Sequence, residues 1–160
     1  MPTTETLETL SADMISASGR PIDIALDGAS LNSRQQRLLD QLGGYGSETM
    51  VRKRDVSLND LAALTAHTGN EFAMFTAGGR RKIVRGDGRS VPIGTADASR
   101  MAQQGWRWSG HTHPGRSGRI LDASGGDRAV LRALGQNQSV ILSSVGQHQV
   151  FSWDMSGWLP

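Results

Sequence analysis

A chain of 160 residues with 37% hydrophobic content and four tryptophans has the material for one ordinary core. The absence of cysteine excludes disulfides and thiolate metal sites, so any metal must be held by histidine and carboxylate. Seventeen Lys and Arg against fifteen Asp and Glu leave a formal charge of +2, too small an imbalance to point by itself to nucleic acid.

No apolar run approaches the roughly 20 residues a membrane span requires. The opening MPTTETLETLSADM has neither the basic leader nor the apolar stretch of an export signal. A soluble chain without its own signal is therefore expected. Residues 1–30 read as a loosely ordered arm, with one short alternation, Pro21-Ile22-Asp23-Ile24-Ala25-Leu26, that suggests a strand; residues 31–160 read as the folded domain. Leucines 31, 38, 39 and 42 before Gly43-Gly44 predict a one-faced helix over 31–42. Ser57-x-x-Asp60, leucines at 58, 61 and 64, and Gly69 predict a second helix over 57–67.

Next come short β-rich runs at 71–76 and 81–85 across Gly78-Gly79, and a third around 91–93 after Asp87-Gly88, which together read as a meander. Residues 95–104 predict a helix ended by Gly105, and 106–111 a buried strand of alternating aromatic and polar residues. A Gly/Arg/Ser loop over 115–123 leads to a helix over 125–134, and 139–142 is expected to pair with 149–153 across Val145-Gly146. The fold class this implies is α/β, a curved mixed sheet flanked by helices.

The chemistry concentrates at the end of the strand over 106–111. Side chains alternate along a strand, so His111 and His113 face the same way and can converge on one ion. Pro114 cannot donate to a ladder and holds His113 extended, which places the histidines at a sheet edge. Asp127, in the first turn of the next helix, can complete a set of two histidines and a carboxylate that leaves a fourth position for water. Such a site still needs a carboxylate to move protons, and Glu71 at a strand start is the candidate. Read alone, Ser124-x-x-Asp127 is an ordinary helix cap, and the two roles are compatible.

A Glu opening a strand (EFAMFTAGG), a strand ending in His-Thr-His-Pro (WRWSGHTHP) and a Ser-x-x-Asp pair (SGGD), in this order, resemble the JAMM (JAB/MPN-type) metallopeptidase family over about residues 57–153. The resemblance implies a JAB/MPN-like, cytidine-deaminase-like layout and a zinc-dependent hydrolase of peptide or isopeptide bonds. In it His111, His113 and Asp127 hold Zn2+, Glu71 is the general acid/base and Ser124 donates to the developing oxyanion. More loosely, the chain resembles JAB-like domains of bacterial polymorphic toxins and phage-associated proteins. That likeness implies a protein or peptide substrate, a cognate immunity protein if the chain is a toxin, and a place in the cytoplasm or within a larger secreted or virion protein.

Other residues fit plainer roles. Trp106 and Trp108 read as core fillers flanking the site, His67 as a surface residue at a helix C-terminus and His148 as a turn residue. Arg80, Arg81, Lys82, Arg85 and Arg89 form a basic hairpin that reads as a solvated face. Arg116, Arg119, Arg128 and Arg132 lie around the motif and raise the alternative of a metal-dependent phosphodiesterase or nuclease toxin. A third reading is a non-catalytic JAB-like structural module. No membrane partner is expected.

Overall fold

A computed structural model describes residues 30–116 and 118–154 of the chain. The arm expected over 1–30, with its strand at 21–26, lies outside the described residues apart from Ser30, as do Ser117 and residues 155–160. The described residues form helices α1 (Ser33–Asp40), α2 (Leu58–Thr68), α3 (Thr95–Gln103) and α4 (Gly125–Ala133). Their strands are β1 (Glu48–Arg52), β2 (Phe72–Ala77), β3 (Arg80–Arg85), β4 (Arg107–Thr112), β5 (Gln138–Leu142) and β6 (His148–Ser152). The strands join in one open mixed sheet in the order β1-β3-β2-β4-β5-β6, parallel between β4 and β5 and antiparallel elsewhere. No helix among the described residues is long and apolar enough to cross a membrane.

The fold is thus α/β with helices on both faces of the sheet, as expected. Alternation in the interior strands divides the core in two. Phe72, Met74, Ile83, Val140 and Leu142 pack with Leu38 of α1 and with Leu58, Leu61 and Leu64 of α2. Ala73, Phe75, Val84 and Ile141 pack on the other face with Ala98 and Met101 of α3 and with Val130 and Leu131 of α4. Because β2 and β4 are covered on both faces, they read as nearly continuous buried runs. The parallel step from β4 to β5 needs a long crossover, supplied by the segment that carries α4.

Most expected elements are present with ends shifted by a residue or two. Three expectations are corrected. Residues 91–93 are not a strand: Pro92 offers no donor, and the Ile93 amide turns back to the Val91 carbonyl at 2.9 Å. The third antiparallel neighbour is instead β1, whose exposed/half-buried alternation marks an edge strand. Nor is the basic hairpin simply a solvated face. Arg81 is buried, with Nη1 donating to the Val56 carbonyl at 2.6 Å, and Arg85 reaches the Leu42 carbonyl and the Asn70 side chain. His148 opens β6 rather than sitting in the turn, and is exposed. His67 is exposed in the last turn of α2, as expected.

Two local features of β4 set up the site. The pairing Met74–Gly110 is followed by Phe75–Trp108, so Ser109 is an extra residue, a bulge, and its hydroxyl bonds that of Thr76 at 2.6 Å. The bulge reverses the alternation between Trp108 and His111 and puts both rings on the α4 face. On the opposite face α2 lies directly against Gly110, where a Cβ would come within 2.8 Å of Leu58 Cδ2 and 3.2 Å of the Val140 carbonyl oxygen. Gly110→Ala therefore overpacks the junction of α2 and β4, and we expect a loss of roughly 1–3 kcal/mol in urea unfolding; an unchanged or raised midpoint would contradict this packing.

Candidate metal centre

The elements deliver their side chains to one place for reasons of register. Ala73 of β2 faces His111 of β4 across an antiparallel pair, so Glu71, two residues earlier, comes opposite His113, two residues later. Backbone bonds extend the sheet around both. The Glu71 amide donates to the Asp87 carbonyl and its carbonyl accepts from Gly86, each at 2.7 Å, while the His113 amide donates to the Leu142 carbonyl at 2.9 Å. The histidines thus stand where β4 ends, and β4 is an interior strand; the expected sheet edge is this end of the strands, not a lateral edge.

Asp127 arrives from the crossover. Ser124 caps α4, its Oγ accepting from the Asp127 amide and the Asp127 carboxylate accepting from the Ser124 amide, both at 3.0 Å. The cap fixes the aspartate rotamer, and the same carboxylate meets both imidazoles. Asp127 Oδ1 lies 3.3 Å from His111 Nε2, Asp127 Oδ2 lies 3.4 Å from His113 Nε2, and the two Nε2 atoms are 3.1 Å apart. Glu71 belongs to the same neighbourhood, with donor atoms of Glu71, His111 and His113 all within 4.8 Å of one another. The structure therefore brings together all four residues singled out for metal binding and proton transfer, with Ser124 beside them.

The donor set fits a small divalent cation. Ligands about 2.0–2.1 Å from a tetrahedral zinc are about 3.3–3.4 Å from each other, comparable to the 3.1 Å between the two Nε2 atoms and to the 3.3 and 3.4 Å that separate them from one Asp127 oxygen each. The Glu71 carboxylate lies within reach of the same two imidazoles, so the cluster offers two carboxylates for a third ligand. The hydrogen-bond inventory points the same way. With His113 Nδ1 donating to the Ile120 carbonyl, its Nε2 faces an acceptor carboxylate and a second imidazole, so that only a proton or a cation at Nε2 satisfies them. Such a cluster is short of positive charge and needs protons or a metal. His111 differs: its Nδ1 is buried with no hydrogen-bond partner, and the ring is held by stacking on Trp108 at 4.6 Å and by the edge of Phe151 at 5.7 Å.

The electrostatics of the metal-free cluster follow from this crowding. Burial pushes the Glu71 carboxyl up to about 7, opposed by His113 and reinforced by Asp127 and Asp87. Complete burial holds His111 below the ordinary histidine value despite Asp127. Burial works against protonation of His113 too, but Asp127, Glu71 and the Ile120 carbonyl together raise it. Burial would also raise Asp127, yet hydrogen bonds from His111 and His113 and the Ser124 amide keep its carboxyl well below the usual range.

A cleft of about 450 Å3 opens over the cluster, lined by Glu71, His113, Ser124 and Asp127. One wall is the 86–94 loop, where an Asp87 side chain accepts from the Arg89 and Ser90 amides and Gly86 packs so closely that a Cβ would lie 2.0 Å from the Ser90 carbonyl. That loop contributes Arg89, Val91 and Ile93 to the cleft, and the opposite wall contributes Ile120. Sequence reasoning missed Val91, Ile93 and Ile120 as cleft residues and placed Arg89 on a solvated hairpin face. Val91 and Ile93 carried an apolar signal that was read as a strand, whereas Ile120 acts through a carbonyl that any residue possesses. Of the arginines expected around the motif, Arg116, Arg119, Arg128 and Arg132 are all absent from the cleft lining. Neither a family model, nor a curated protein, nor a solved structure matches the chain, so its chemistry is read from this geometry.

Proposed function

We propose that the chain is a zinc-dependent hydrolase of the JAMM kind that cleaves amide bonds of peptides or isopeptides. The observation that carries the reading is the convergence of His111 Nε2, His113 Nε2 and the Asp127 carboxylate at 3.1–3.4 Å beneath an open cleft, with a buried glutamate opposite. Bound zinc would supply Lewis acidity, polarising a carbonyl and making water acidic enough to attack at neutral pH. Glu71 takes a proton from the attacking water and returns it to the departing amine nitrogen, so water is consumed and one acid and one amine are released. The Ser124 hydroxyl accepts from the Asp127 amide, which leaves its own proton to donate to a developing oxyanion. Val91, Ile93 and Ile120 limit water on the cleft walls.

Purified protein is expected to carry about one zinc per chain by elemental analysis, and His113→Ala to lose most of it, because two remaining ligands do not offset desolvation of the ion. The sheet core is built without the metal, so chelation should leave the circular dichroism signal in place; its collapse would make the zinc structural. Wild type free of zinc, copper, iron and manganese after gentle purification would remove the reading.

Glu71→Gln keeps size and one acceptor but cannot accept and return a proton. We expect it to retain zinc while losing about 10²–10⁴-fold in cleavage of a peptide mixture that wild type digests. Loss of zinc in this variant would instead make Glu71 a ligand, and full activity would place proton transfer on another residue.

A further inference from the structure

The cleft continues past the metal cluster. Thr95 and Ala129 belong both to its wall and to a second pocket of about 590 Å3, completed by Arg128, Arg132, Ala133 and Trp153. Arg128 and Arg132 are one turn apart on α4 and face the same way. They are not equivalent. Arg128 donates Nη1 to the Ser152 carbonyl at 3.1 Å, whereas the Arg132 guanidinium lies over the Trp153 indole, 5.1 Å from the ring centroid, with no carboxylate paired to it among the described residues. A guanidinium held against an indole face has less freedom to lose on binding and keeps N–H groups available to a carboxylate.

We propose that this pocket is a second substrate subsite in which Arg132 binds a carboxylate, so that the preferred substrates are acidic peptides. The proposal rests on the hydrolase reading and adds its specificity. Arg132 follows Asp127 by five residues, so it lies roughly 7–8 Å further along α4 and on another side of the helix, and the two pockets meet at Thr95 and Ala129. The carboxylate belongs to a part of the substrate beyond the scissile bond, as a Glu or Asp side chain or as the chain terminus. A nucleic-acid strand fits less well. Its repeating phosphates call for a row of cations, while this pocket offers one uncommitted guanidinium and the cleft beside it sets a single arginine, Arg89, against the Glu71 and Asp127 carboxylates and apolar side chains.

Binding can be read apart from catalysis on Glu71→Gln protein, by fluorescence anisotropy of labelled Ala-Val-Glu-Glu amide, Ala-Val-Gln-Gln amide, Ala-Val-Gln-Gln free acid and an oligothymidylate. The Glu peptide should bind about three- to tenfold more tightly than its Gln amide, a modest factor because Arg132 is exposed. Arg132→Gln should erase the difference, and Arg132→Lys, which keeps charge but not the planar fork, should restore part of it. A Gln free acid that matches the Glu amide assigns the subsite to a terminal carboxylate. Equal affinities, no peptide binding, or discrimination that survives Arg132→Gln would overturn the proposal, as would oligothymidylate binding more tightly than the Glu peptide through Arg132. Discrimination lost with Arg132→Gln in a chain that neither holds zinc nor cleaves would support the subsite and reject the hydrolase reading alone.

Discussion

Antiparallel pairing sets Ala73 across from His111, and the next same-face positions outward are Glu71 and His113. A slip of one residue between β2 and β4 would send Glu71 to the α2 face and dissolve the cluster. The register is held by more than the ladder. Thr112 points to the α2 face, where its hydroxyl accepts from the Phe72 amide at 3.0 Å and contacts the Thr65 hydroxyl. Gly110 lets α2 lie against the strand, and the Ser109 bulge absorbs the odd residue that would otherwise turn Trp108 away from His111. Packing on the face away from the site thus fixes the geometry of the site.

The second support is the N-terminus of α4. Asp127 is a capping residue and a partner of both histidines at once, so the helix start and the cluster stabilise each other. Its position in the first helical turn also places negative charge at the positive end of the helix dipole, consistent with its depressed pKa. The capping explanation of Ser124 and Asp127 is accordingly correct as far as it goes. It does not account for two imidazole nitrogens aimed at the same carboxylate.

What the sequence made legible was local. The two caps, the His-x-His spacing and the glycine-bounded strands each depend on a few consecutive residues, and each is found where expected. What it concealed depends on partners distant in the chain. β1 carries only a weak alternation because one edge faces solvent, and residues 91–93 have the composition of a strand but Pro92 and the Ile93 turn deny them a ladder. Nothing in WRWSGHTHP marks Ser109 as a bulge, since the signal is the mismatch between two strands. The arginines divide in the same way: Arg81 is buried on a main-chain carbonyl, while Arg132 is distinguished only by the tryptophan brought to it from beyond β6.

The site is also costly to the metal-free fold. His111 is fully buried with an unpaired ring nitrogen, Glu71 is a buried carboxyl, and His113 and Asp127 depend on protons shared in a crowded space. A buried polar atom without a partner costs about 1–3 kcal/mol, and none of these groups is needed to close the two hydrophobic clusters. A cation among the two Nε2 atoms and the Asp127 carboxylate would remove the shortage of positive charge without moving the sheet, so its binding energy would appear as added stability rather than as the condition for folding. That separation is what the proposed catalytic role requires, since a structural metal would be a condition for folding. Glu71 stands beside the two imidazoles as a buried carboxyl pushed up to about 7, a value that suits the proton transfer proposed for it.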